Sequence, residues 1–143
     1  MTVLPHPLAE RPRDSAYDIP VPFACGDELG PPVKKLVLQC ALSRICGLCG
    51  ESLSWGVTFV GSPDEAEANA FHFPPSHEAC ADAALAIYPQ LGVPVLGQPV
   101  PLDTWALVVT GGFELVRPTS RTGDMRVHFT AHAVSDRRTV TSA

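Results

Sequence analysis

The chain has 143 residues, of which 45% are apolar and 17% are charged, and its formal net charge is −5. A chain of this length can bury a substantial core as one domain, and its acidity argues against general electrostatic attraction to nucleic acid or to anionic lipid. The 15 prolines and 11 glycines predict many turns and few long helices.

The N-terminal stretch MTVLPHPLAERPRD lacks the apolar segment of a secretory signal. No apolar run approaches the ~20 residues that a membrane-spanning helix needs. We therefore expect a cytoplasmic protein with no membrane partner. In a reducing compartment an odd count of five cysteines, with two in a Cys-x-x-Cys pair, favours metal ligands or a redox couple over a structural disulfide.

The first predicted elements are an arm and a helix. Residues 1–32 are rich in proline, which predicts extended or turn segments that either dock on the domain or stay loose. Residues 33–45 carry apolar side chains at helical spacing, after a proline pair suited to a helix start and before Gly47. We therefore predict one helix directly after the arm.

The middle of the chain predicts a short strand or hairpin, a loop and a second helix. Apolar and small residues alternate over residues 55–60, which is typical of a strand. The acidic residues 64–68 predict a solvated loop. Ser76 follows two prolines and precedes an alanine-rich stretch that stops at Pro89, so we predict a helix with Ser76 as its N-cap.

The C-terminal third predicts a linker followed by strands. Residues 89–101 contain a proline or glycine every two or three positions, which is typical of a rigid linker crossing a surface. Gly111 and Gly112 offer a two-residue hairpin turn. The strand candidates are residues 105–110, 113–116 and 126–130. From Ser135 onward we expect a flexible tail.

Two residue pairs have the spacing of zinc ligands. Cys46 and Cys49 are separated by two residues, and flanking glycines permit a tight turn that aims both sulfurs at one point. His77 and Cys80 are three residues apart at the start of the second predicted helix, so both lie on one helix face near its positive end. The two pairs together predict a structural Zn²⁺ ion with four protein ligands.

Other interpretations of these residues were weighed. Cys-Gly-Leu-Cys resembles a thioredoxin-type redox pair, but that motif expects a strand before it, and here a helix is predicted. His72 offers an alternative fourth ligand, although it lies outside the helix. Cys25 and Cys40 are interpreted as packed apolar residues.

A knuckle, a hairpin and a helix that donates two ligands follow one another in this order in a treble-clef zinc finger. We therefore predict an α+β fold: a small treble-clef-like zinc finger with additional antiparallel strands at its C-terminal end. The predicted organisation is an N-terminal arm over residues 1–32, a single zinc-binding domain over 33–134 and a tail over 135–143.

The motifs CGLCGESL and FHFPPSHEACADAA, with RPRDSAYDIPVPF upstream and DTWALVVT downstream, resemble a family of small uncharacterised zinc proteins of actinobacteria and their phages. The resemblance spans roughly residues 11–130 and is most specific at the Cys-x-x-Cys and His-x-x-Cys pairs. It implies that the family's presumed ligands correspond to the same four positions, namely Cys46, Cys49, His77 and Cys80. It implies no activity.

Several activities lack their required residues. A zinc deaminase needs His-x-Glu ahead of Pro-Cys-x-x-Cys, and an HNH-type nuclease needs a histidine in the strand over residues 54–60; neither is present. Four protein ligands also leave zinc without a position for water. His128 and His132 alternate with apolar residues, so they predict a strand on which they stand roughly 13 Å apart, too far for one ion.

The sequence therefore favours a non-enzymatic role. Its leading interpretation is a zinc-stabilised adaptor module that binds another protein. The alternative is a nucleic-acid-binding zinc finger with a local arginine patch, which the acidic charge disfavours. The arginines considered for that patch are Arg117, Arg121, Arg126, Arg137 and Arg138. A third interpretation is an accessory enzyme subunit in which Asp103, His128 or His132 completes a partner's site.

Overall fold

The computed structural model describes residues 4–54, 56–118 and 126–141. In these ranges the chain forms four α-helices and one antiparallel sheet of three strands in the order β1-β2-β3. The helices are α1 (His6–Ala9), α2 (Lys34–Ser43), α3 (Pro63–Ala68) and α4 (Glu78–Ile87). The strands are β1 (Val57–Gly61), β2 (Thr104–Val116) and β3 (His128–Thr141). The architecture is α+β, as the sequence predicts.

The helices expected after the arm and near residue 78 are both present, as α2 and α4. Among the described residues, none of the helices combines the length and the apolar character needed to cross a membrane.

The expected hairpin at Gly111 and Gly112 is wrong, because β2 continues through both glycines. Each side of this point stays paired with β3: Thr110 lies opposite Val134 and Gly112 opposite His132. A register shift between Val109 and Thr110 absorbs one extra residue on β3. β2 therefore stays continuous, and the irregularity next to the predicted turn is a β-bulge on β3.

Residues 135–141 were expected to be a tail, but they form the second half of β3. They pair with β2 as far as Thr104 opposite Thr141, and Val140 lies opposite the buried Trp105. Most side chains of this stretch are exposed, so its composition is that of a solvated segment. Its backbone nevertheless pairs with β2. Residues 142–143 lie outside the described ranges.

The acidic residues 64–68, expected as a loop, lie in helix α3. Ser62 accepts a hydrogen bond from the backbone N–H of Glu65, and Glu65 in return accepts one from the backbone N–H of Ser62. This capping box satisfies two N–H groups at the helix start. The helix ends at Asn69, whose positive φ of 51° places it in the left-handed region.

The sheet is buried on both faces at β1, where every residue is inaccessible. One face packs against an aromatic cluster in which the rings of Phe59 and Phe71 stack at 5.0 Å and Phe129 lies 5.8 Å from Phe59. The other face packs against α4 and the cysteine-containing segments, with Trp105 and Leu107 at the contact. The cysteine pairs therefore belong to one of the two cores.

The described part of the N-terminal arm packs against the core, with Leu8 and Val21 fully buried. Its backbone also reaches the Cys-x-x-Cys turn, since the N–H of Phe23 donates to the carbonyl of Leu48 at 3.0 Å. The hydroxyl of Tyr88, just after α4, donates to the carbonyl of Pro20 at 2.5 Å. Hydrogen bonds thus join the arm to both elements that carry the predicted ligands.

Replacing Tyr88 with phenylalanine should lower the free energy of unfolding by about 1–2 kcal/mol, because the buried carbonyl of Pro20 loses its donor. Urea denaturation measures this. Tyr17→Phe is the matched control, since Tyr17 is exposed and its change should stay within about 0.5 kcal/mol. Equal effects of the two substitutions would show that the hydrogen bond from Tyr88 to Pro20 does not stabilise the fold.

Candidate metal centre

The structure brings the four predicted ligands together. One ligand atom from each lies within 4.8 Å of the others. The three cysteines are buried, with at most 6% of each exposed, while the histidine is half-buried. The cluster consists of Cys46, Cys49, His77 and Cys80. Residues 28 to 34 positions apart therefore meet at one point.

The first pair lies on a tight turn closed by backbone hydrogen bonds. The N–H of Cys46 donates to the carbonyl of Glu51 at 2.8 Å, and the N–H of Gly50 donates to the carbonyl of Cys46 at 3.0 Å. Gly50 has a φ of 81°, and a side chain there would also meet the ring of Phe23 at 2.7 Å. Glycine at this position therefore satisfies both the left-handed backbone and the close packing of the arm.

The second pair lies at the start of α4, but its N-cap differs from the prediction. His77 is the N-cap, and Cys80 lies in the first helical turn. Ser76 is instead paired with Thr58 of β1 through two backbone hydrogen bonds of 2.8 and 2.9 Å. This pairing holds Ser76 in an extended conformation, so its hydroxyl does not cap the helix.

The imidazole of His77 is oriented by a hydrogen bond on its outer edge. Its Nε2 lies 3.0 Å from the carbonyl oxygen of Ser52. Because a carbonyl only accepts, Nε2 carries the proton and Nδ1 keeps a free lone pair. Nδ1 lies 3.4 Å from the sulfur of Cys49 and 3.8 Å from that of Cys80. This carbonyl–imidazole arrangement is typical of histidines that bind metals.

The three thiols interact so strongly that one of them ionises easily. Hydrogen bonds from the thiols of Cys49 and Cys80 lower the pKa of Cys46 well below its ordinary value. The backbone N–H groups of Cys49 and His77 add two further hydrogen bonds to the Cys46 sulfur, each 3.4 Å long. Donating to Cys46 raises the pKa of Cys49 to about 11 and raises that of Cys80 further.

This donor set fits a zinc ion. Three sulfurs and one imidazole nitrogen are the soft and borderline ligands that Zn²⁺ prefers in structural sites. Metal–sulfur bonds of ~2.3 Å give a tetrahedron with edges of about 3.8 Å, close to the separations between these atoms. The four residues can therefore hold one metal ion without large rearrangement.

The remaining cysteines and His72 lie outside this cluster. Burial raises the pKa of Cys25 to about 11 and that of Cys40 to about 12, so both are protonated thiols packed in the interior. His72, the alternative fourth ligand, places Nδ1 2.8 Å from the carboxylate of Glu65. His77, and not His72, is therefore the histidine of the metal cluster.

The residues considered for a partner's catalytic site are far apart. His128 and His132 lie on β3, opposite Val116 and Gly112 of β2, whereas Asp103 precedes the opposite end of β2. Eight residues of strand, about 26 Å, separate Thr104 from Gly112. These three side chains do not form one site within the described chain.

The arginines considered for a basic patch are mostly engaged. Arg138 lies within 3.4 Å of three carboxylates, those of Glu78, Asp82 and Asp136. Arg137 lies 3.8 Å from the carboxylate of Glu67. Arg126 donates to a backbone carbonyl, Arg117 lies just after β2, and Arg121 lies outside the described residues.

A second group of polar residues, outside the metal cluster, was not predicted from the sequence. This group is a hydrogen-bonded set beside a cavity and consists of Glu65, His72 and Gln98. From the sequence, Glu65 was assigned to a loop, His72 to an alternative metal ligand and Gln98 to a linker. The Ser62-x-x-Glu65 capping-box spacing was the available signal for helix α3. The contact with Gln98 spans 33 positions and has no sequence signal.

Comparison with protein-family models gives no match to this chain. Comparisons with curated proteins and with solved structures give no significant match either. The interpretation of the cluster therefore depends on its geometry and on the chemistry of its donors.

Zinc binding at neutral pH should release at least two protons, because Cys49 and Cys80 are thiols without metal and must bind as thiolates. The apparent affinity should therefore rise with pH, by about a hundredfold per unit for two protons. Competition with a chelating indicator, at pH values around neutrality, measures this slope. Cys40→Ala should keep the same slope, and an affinity independent of pH would contradict the protonation states described.

Proposed function

We propose that this chain is a structural zinc-binding module that acts as an adaptor for another protein. The observation that carries the structural role is the closed donor set: three thiolates and one imidazole complete a tetrahedron and leave no position for substrate or water. A catalytic zinc site keeps such a position open. The role that this ion can play is therefore structural: it links segments of the chain.

We also propose that the zinc-binding core is treble-clef-like. The knuckle corresponds to the turn that carries Cys46 and Cys49, closed by the antiparallel bridge between Ile45 and Ser52. The hairpin corresponds to β1 and its two-bond pairing with Ser76, with α3 inserted between them. The helix corresponds to α4. The longer β2 and β3 then extend this unit from the opposite edge of β1.

Zinc would add metal–ligand bonds between parts of the fold that are otherwise held together by noncovalent contacts. It would join the knuckle to the first turn of α4, and the arm is already bonded to the knuckle through the carbonyls of Gly47 and Leu48. Without the ion, three buried sulfurs would remain close together with no metal–sulfur bonds to join the segments that carry them. The metal should therefore contribute directly to the free energy of folding.

Removing zinc with a tight chelator, or replacing Cys46 with serine, should abolish the cooperative unfolding transition. Structural zinc in small fingers contributes on the order of 10 kcal/mol, which matches or exceeds the total stability of most domains. Far-UV circular dichroism during urea denaturation, with metal content measured in parallel, tests this. Cys40→Ala is the matched control, because it removes a buried sulfur outside the cluster and should cost only about 1–2 kcal/mol.

A metal-free protein that unfolds at the same urea concentration as the zinc-loaded protein would overturn the structural role. A Cys46→Ser variant that binds zinc with unchanged affinity would show that this residue is not a ligand.

Charge supports a protein partner over nucleic acid. The net charge is −5, and the arginine pair at the end of β3 lies close to four carboxylates from α3, α4 and β3 itself. Those carboxylates would compete with phosphates for the same guanidinium groups. The proposed partner is accordingly a protein surface, for which the acidic charge is no obstacle.

The zinc-loaded protein should show no salt-dependent retention on immobilised duplex DNA or RNA. Phosphate binding requires uncompensated cations, and these arginines already face carboxylates. Electrophoretic mobility shift at two ionic strengths measures it, with Arg138→Gln as a variant that should change nothing. Binding that weakens steeply with salt and is lost in Arg138→Gln would replace the adaptor proposal with a nucleic-acid-binding role.

A further inference from the structure

A cavity of about 730 Å³ lies between the segment before α2, the linker after α4 and the residues leading into β3. Its volume is within the range of small-molecule sites. The walls are largely apolar, and four of the lining residues are prolines: Pro31, Pro32, Pro94 and Pro99. Because proline fixes φ, the backbone of these walls has restricted freedom at four positions.

The polar side chains of the cavity include two cations, Lys34 and Arg126. The others are His72 and Gln98, and no aspartate or glutamate is among the described lining residues. The net charge of the chain is −5, so the charge of these lining residues is opposite in sign to that of the whole chain. Lys34 is also the first residue of α2, where the positive end of the helix dipole adds to the potential. The cavity therefore favours a ligand with a negative group.

A buried carboxylate behind the wall orients two of these side chains. Glu65 accepts hydrogen bonds from the backbone N–H and the Nδ1 of His72, at 2.9 and 2.8 Å, and another from the amide of Gln98. Since a carboxylate only accepts, Nδ1 carries a proton and the ring edge with Nε2 faces away from Glu65. The polar groups of the cavity are thus held in one arrangement.

The charge of Glu65 is satisfied inside the protein. Burial raises its pKa, but hydrogen bonds from His72, Ser62 and Gln98 outweigh this effect and lower it overall. Only 10% of the side chain is exposed, and it does not line the cavity. It therefore orients His72 and Gln98 from behind the wall of the cavity.

Arg126 contributes a guanidinium next to the residues that lead into β3. Its Nη1 donates to the carbonyl of Gly97 at 3.2 Å, which ties it to the linker on the opposite wall. A guanidinium can donate to a carboxylate through parallel N–H groups, and this geometry selects planar anions. The apolar prolines and valines, in contrast, can contact only hydrocarbon.

We propose that this cavity binds a small organic carboxylate with an apolar aliphatic or aromatic body. The carboxylate contacts the side of the cavity with Lys34 and Arg126, and the body fills the space between the prolines. Binding of this kind is independent of the zinc ion's chemistry. It gives the module a ligand in addition to its protein partner.

Isothermal titration calorimetry of the zinc-loaded full chain tests the proposal with two probes, phenylbutyrate and octanoate, and with the corresponding alcohols. Each acid should bind saturably at one site per chain and at least about tenfold more tightly than its alcohol, because only the acid meets the cationic groups. Equal affinities of acid and alcohol, or no saturable binding of either acid, would overturn it.

A matched pair of variants locates the site. Lys34 and Lys35 are adjacent, exposed residues of α2, but only Lys34 lines this cavity. Lys34→Gln should weaken acid binding about three- to tenfold and leave alcohol binding unchanged, whereas Lys35→Gln, with the same net charge, should stay within about twofold. Equal effects of the two substitutions would mean that the acids respond to overall charge alone, which would contradict this site.

Arg126→Gln provides a second variant in case one lysine contributes little. It should weaken acid binding about tenfold or more, while Arg137→Gln, on the exposed end of β3, should not. If neither Lys34→Gln nor Arg126→Gln changes the affinity for the acids, the proposed cavity is not their binding site. Zinc content measured on each variant separates these outcomes from loss of the metal centre.

Discussion

The convergence of three sulfurs and one imidazole on a single point is the constraint on which the rest of this structure depends. The ligands come from a tight turn and from a helix start, and each is positioned by backbone hydrogen bonds outside the cluster. The N–H groups of Cys49 and His77 both donate to the Cys46 sulfur, and Ser52 fixes the imidazole. Main-chain groups therefore position donors of the cluster around one point.

One short segment connects the metal centre to the cavity. Phe71 pairs with Phe129 of β3 and His72 reaches the cavity, while Ser76 pairs with β1 and His77 belongs to the metal cluster. This run of seven residues has no regular secondary structure apart from these isolated pairings. The same short segment therefore contributes one residue to the wall of the cavity and one to the metal cluster.

Glu65 performs two structural roles that a surface carboxylate could not. It caps α3 through Ser62 and it orients His72 and Gln98, and this is why so strongly buried an acid remains ionised. Four donors replace the water that the carboxylate loses on burial. The helix that carries it is only six residues long, so these tertiary contacts, more than helix propensity, account for its stability.

The sequence by itself determined the features that arise from short spacing: the ligand pairs Cys46/Cys49 and His77/Cys80, and helices α2 and α4. Two cysteines separated by two residues can face one point on a single tight turn, and an apolar stripe at helical spacing needs no partner to be recognised. Tertiary structure alone decided the unbroken course of β2 through Gly111, the pairing of residues 135–141 and the contact of Gln98 with Glu65. These features depend on backbone pairing and packing between segments 20 or more positions apart, and local composition carries no information about such distant partners.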